Sequence, residues 1–165
     1  MKIGLTIFAV IAMFAFIDSA HGQKDERLYG VWEMTYYARD GNAIDWTGMM
    51  IITPGHFSRI YMHKDRPVIQ DRYKNLSDLT DEEKNTIVDI FVPKFGGASG
   101  TYRIEGTQLF FQPIFVANPG LKGREPSRMF TLDRDRTTLT LKGTYSRGYE
   151  VEEIWVKRED IDERE

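Results

Sequence analysis

The 165-residue chain contains no cysteine. That excludes a disulfide framework, a cysteine nucleophile and a lipid-modified N-terminal cysteine, so stability has to come from a hydrophobic core. Histidine is nearly as scarce, with His21, His56 and His63 as the whole supply. A turn and a strand separate His56 from His63, which is a poor arrangement for a metal site. No serine stands in a Gly-x-Ser-x-Gly context, so the usual signature of a nucleophilic elbow is missing. A basic excess is missing too. With 22 Lys and Arg against 25 Asp and Glu the net charge is −3, and nothing in that balance invites nucleic acid. There is no internal repeat, and neither a metal nor a cofactor is expected.

What the chain does have begins with one apolar run. Lys2 supplies a positive start, Ile3 to Ile17 are almost wholly apolar, and Ala20-His21-Gly22 places small residues where a signal peptidase inspects the chain. Residues 1–22 therefore read as a removed secretory signal peptide. The alternative is a retained membrane anchor, but the run is shorter than the roughly 20 residues a spanning helix needs. No other stretch could cross a bilayer, so the processed protein is not expected to be membrane-integral. Residues 23–158 make about one ordinary domain, and residues 159–165 form a charged tail. Export without cysteine fits a periplasmic or secreted bacterial protein better than a eukaryotic one. Asn75-Leu76-Ser77 would be a glycosylation acceptor only in the latter.

From Trp32 the residues alternate. Trp32, Met34, Tyr36 and Ala38 point one way and Glu33, Thr35, Tyr37 and Arg39 the other, the pattern of a half-buried strand. Gly30, two residues earlier, lets the backbone approach a wall closely enough for the indole to plug the end of whatever the strand encloses. Turn signals then recur at short intervals. Asp40-Gly41-Asn42 ends the first strand, Gly48 to Thr53 is a second, and Pro54-Gly55 turns into a third, Phe57 to His63. Lys64 to Ser77 is polar and loop-like. Thr80 and Glu83 make a capping box for a helix whose one face carries Ile87, Val88, Phe91 and Phe95, and which Gly96-Gly97 should stop. Strands resume at Ser99 to Glu105, Thr107 to Val116, Ser127 to Leu132, Thr138 to Lys142 and Glu150 to Lys157. Eight strands with short connections and one helix between the third and fourth predict an all-β, eight-stranded antiparallel up-and-down barrel. Such closure removes exposed edges and leaves an interior that is filled or holds one small ligand.

The order of these motifs resembles the bacterial and fungal lipocalin-like domain family. The residues that carry the resemblance are Gly30-x-Trp32, Asp40-Gly41, Gly48 with Ile52-Thr53-Pro54-x-x-Phe57-Ser58, and Arg66-Pro67. The helix around Glu82-Glu83-Lys84, Gly100-Thr101-Tyr102, Arg128 with Phe130, and a closing Ile154-Trp155 complete it. It spans about Leu28 to Arg158 and implies a calycin-type β-barrel without implying one activity. Where that family carries a histidine-containing strand, this chain has Gln108-Leu109-Phe110-Phe111-Gln112, so no role of that histidine transfers here.

Strand parity selects the candidate site. Trp32, which closes the bottom, and Met34, Tyr36, Tyr102 and Phe111, which line the wall, are the expected ligand contacts, together with Phe130 and Arg128. Arg128 shares parity with Phe130 and Leu132, so its guanidinium is expected inside or at the mouth. A buried arginine is costly unless paired. Its partner is then either Glu152 or Glu153 in a structural salt bridge, or an anionic group of a ligand. Third-strand parity stays open, because Phe57, Arg59, Tyr61 and His63 oppose Ser58, Ile60 and Met62 with equal plausibility. The expected function is an exported binder of a small, largely apolar molecule, with carboxylate-bearing molecules among the candidates. Two alternatives remain. One is a small cofactor-free barrel enzyme of isomerase, cyclase or hydrolase type using an inward carboxylate with Arg128 or a tyrosine; the other is a protein-interaction module with a filled barrel.

Overall fold

The computed structural model describes residues 25–65, 77, 79–91, 94–145 and 148–160. The leader, the Arg66-Pro67 pair, Asn75-Leu76 and the end of the charged tail lie outside these residues. Turn chemistry cuts the chain into nine strands: β1 (Gly30–Arg39), β2 (Asn42–Ala43), β3 (Trp46–Thr53), β4 (His56–His63), β5 (Phe95–Glu105), β6 (Gln108–Val116), β7 (Ser127–Leu132), β8 (Thr138–Thr144) and β9 (Glu150–Glu159). Left-handed backbone at Asp40 and Gly41, at Gly55 and at Gly106 makes three of the hairpin turns. Every strand pairs antiparallel with its neighbour, and β9 returns to pair with β1. Eight long strands thus close an up-and-down barrel, with the two-residue β2 extending the first hairpin beyond its rim.

The helix α1 (Asp81–Phe91) lies between the third and fourth long strands, β4 and β5 in the full count. Its start is a reciprocal capping box: Thr80 N donates to Glu83 Oε2 at 2.9 Å and Glu83 N donates to Thr80 Oγ1 at 3.3 Å. Its end differs from expectation. Phe95, Gly96 and Gly97 belong to β5, and the glycines serve packing instead of stopping a helix. A side chain on Gly96 would run into the Tyr61 ring, and one on Gly97 would press on the Arg59 carbonyl at 3.3 Å. Val88 on the expected packing face is 53% exposed.

The floor of the barrel is built as the Gly30-x-Trp32 spacing suggests. A Cβ on Gly30 would sit 2.5 Å from the Glu159 carbonyl, so only glycine lets β1 close against β9 here. The Trp32 indole is fully buried and donates from Nε1 to the Leu28 carbonyl at 2.8 Å. The Tyr102 hydroxyl donates to the Thr53 carbonyl at 3.1 Å nearby. Met34, Met50, Ile52, Leu109, Leu139, Leu141 and Trp155 are buried in one cluster with them. Among the described residues no helix is long and apolar enough to cross a membrane.

One irregularity changes what faces inward. A bulge interrupts the pairing of β1 with β9: Met34 lies opposite Trp155, but Tyr36, two residues on, lies opposite Ile154, the very next residue. Such a bulge reverses side-chain parity beyond it. Tyr37 therefore lies opposite buried Glu153 and is itself buried, while Tyr36 moves to the outer side and is only half covered. The expectation that Tyr36 lines the wall is thereby corrected.

Candidate functional site in the barrel interior

Parity on β4, open in the sequence, is settled by register and burial. Phe57 and Arg59 are buried, Tyr61 is largely covered, and Ile60 between them is 45% exposed. An arginine thus projects into the barrel from β4. It crosses to β9, where Arg59 Nη1 lies 3.5 Å from Glu153 Oε2 with both side chains out of solvent. The same carboxylate oxygen accepts from Trp155 Nε1 at 3.0 Å. The Arg59 guanidinium also stands 5.2 Å over the Phe111 ring and 5.6 Å over Tyr61. Burial works against its charge, but Glu153 together with Tyr145 and Tyr61 outweighs that and the Arg59 pKa is raised. Burial likewise raises the phenol of Tyr61, and it pushes Tyr37 up to about 12, with Tyr145 and Glu153 adding to the effect.

Arg128 is the second buried cation, 1% exposed. Its side chain passes over Gly143, where a Cβ would meet Arg128 Cδ at 2.9 Å and Nη1 at 3.2 Å. Nη1 donates to the Ser127 carbonyl at 2.8 Å. Tyr145 covers the guanidinium, 4.5 Å from its central carbon. Tyr145 stacks in turn on Tyr149 at 4.9 Å, and Arg39 lies 4.4 Å over Tyr149. Arg128 Nε and Nη2 are buried and have no acceptor among the described residues. The expected salt bridge from Arg128 to Glu152 or Glu153 is not made: Glu153 is held by Arg59 from across the barrel. Glu152 points outward, 2.9 Å from Lys142.

Six of the seven residues singled out from the sequence, Trp32, Met34, Tyr102, Phe111, Arg128 and Phe130, are buried on the inner side. Trp32 and Tyr102 belong to the apolar floor, whereas Phe111 meets the charged end through Arg59. Arg59, Glu153, Tyr37, Tyr61 and Tyr145 were not among them. A groove of about 560 Å³ lies on the outer face, where Ala38, Met129, Lys142 and Glu152 are outward members of their strands. It holds none of the buried charged groups.

The fold and site define a closed eight-stranded antiparallel β-barrel with an apolar floor and a charged, tyrosine-rich upper interior. No family description matches the chain, and no curated protein does. Among solved structures it is similar to a redesigned β-barrel at 15% identity and a TM-score of 0.44, over 80% of this chain and 92% of that one.

Proposed function

We propose that the protein is an exported, lipocalin-like binder of a small, largely apolar molecule held in the barrel interior. The observation that carries this reading is the division of the interior: an apolar floor around Trp32 beneath a buried charged end at Arg59, Glu153 and Arg128. A site that is mostly apolar with a few convergent polar groups is the usual form of a small-molecule pocket. Among the described residues two arginines and one carboxylate are buried, and a buried charge without a partner is costly to stability. Export rests on the leader, with processing after Gly22.

Native mass spectrometry of the protein purified from its own source, compared with its denatured mass, tests both parts. A retained small molecule on a chain starting at Gln23 is the expected result. A bare chain that also takes up no fatty or aromatic acid overturns interior binding, and a mass that still includes residues 1–22 overturns processing. The interaction-module reading has one observation in its favour. Met49 and Ile60 are register neighbours on the outer face and are 50% and 45% exposed.

A further inference from the structure

We infer that the molecule held in the interior is a carboxylate monoanion, gripped side-on by Nε and Nη2 of Arg128; this rests on the interior-binding reading above. A guanidinium presents several N–H groups in a planar fork that matches a carboxylate through two parallel hydrogen bonds. In Arg128 the structure uses Nη1, on the Ser127 carbonyl, and leaves Nε and Nη2. These two share one edge of the guanidinium, the edge that makes the side-on pair with a planar two-oxygen anion.

The surroundings favour that edge as the binding surface. Tyr145 occupies a face of the guanidinium, so an anion is directed to the rim. Gly143 supplies the space: any larger residue would press on Cδ and Nη1 and turn the fork. Among the described residues the buried charged ones are Arg59, Arg128 and Glu153, of which Arg59 and Glu153 pair. One positive charge is left over, matched by a single negative one. A phosphate dianion would bring a second negative charge that no buried cation among the described residues is left to match. The apolar floor then takes the rest of the molecule.

Calorimetric titration of the protein with octanoate, octanamide and octyl phosphate separates the possibilities. Octanoate is expected to bind at least about tenfold more tightly than either of the others. Arg128→Lys, which keeps the charge and loses the fork, should remove most of that preference. The Arg128 Nε–H proton resonance of the wild-type protein should shift downfield with octanoate only, a readout that needs no variant. Equal binding of octanoate and octanamide with an unmoved Nε–H signal overturns the fork while leaving interior binding in place. Tighter binding of octyl phosphate overturns the monoanion. If none of the three binds and the protein from its own source carries no small molecule, the interior-binding reading falls and takes this inference with it.

Discussion

Arg59 on β4 and Glu153 on β9 meet across the inside of the barrel, Nη1 to Oε2 at 3.5 Å, although their strands are not neighbours in the sheet. Removing one member of a buried pair strands the other's charge and costs about 3–5 kcal/mol. Glu153→Ala is therefore expected to lower stability in chemical denaturation by about that amount. The Arg59→Met/Glu153→Gln double variant keeps an acceptor for the Trp155 indole and should recover most of the loss.

Gly96→Ala should destabilise through overpacking, by about 1–3 kcal/mol, because the added methyl enters the space of the Tyr61 ring. Shortening the opposing side chain with Tyr61→Leu should return part of it. Thermal unfolding of the single and double variants measures both, and additive losses would show that the contact is not the cause.

Tyr37 gives an alkaline signature. Burial holds its neutral form, so the folded pKa of about 12 lies above the ordinary 10.0. The stability this contributes is fully present below pH 10 and declines as pH rises from there toward 12. Absorbance at the tyrosinate band should rise in two stages, with the late stage one tyrosine smaller in Tyr37→Phe.

Asp133 gives the acid counterpart. Its carboxylate accepts from the backbone N–H groups of Thr138, at 3.0 Å, and Thr137, at 2.7 Å, which holds its pKa below the ordinary 3.8. A depressed folded pKa means that the contribution is present above that value and is lost as pH falls through the folded one. Asp133→Asn should flatten the acid decline of the melting temperature between pH 5 and 2.5, and an unchanged slope would refute this origin.

The eight strands and their turns were legible because glycine, proline and asparagine mark turns locally, and alternation marks faces wherever a strand is regular. Ser127–Leu132 is a clear case: Arg128 shares its face with Phe130, and both are buried. Tyr36 was misplaced because a bulge is one extra residue with no distinctive composition, set by pairing to a strand more than a hundred positions away. The Arg59–Glu153 pair was hidden for a related reason. An arginine between Ser58 and Ile60 reads equally well on either face, and only register with β3 and β5 decides. On β9 the alternation is regular and puts Glu153 on the face of buried Trp155, with Glu152 on the other, but which cation meets Glu153 depends on a strand across the barrel.

The closure of β9 onto β1 has a consequence for how the molecule comes together. Contacts such as Thr35 Oγ1 to the Ile154 carbonyl join positions 119 apart, whereas every other long-strand pairing is between consecutive strands. Those seven pairings join segments that follow one another along the chain, and the last must bring distant ends together against loop entropy. The seam is thus the pairing with the largest loop-closure cost, without being chemically different from its neighbours. Joining Asp25 to Asp160 by a short linker and opening the chain at Gly106 would turn the seam into a local hairpin. The same closed sheet would then assemble by a different order of events.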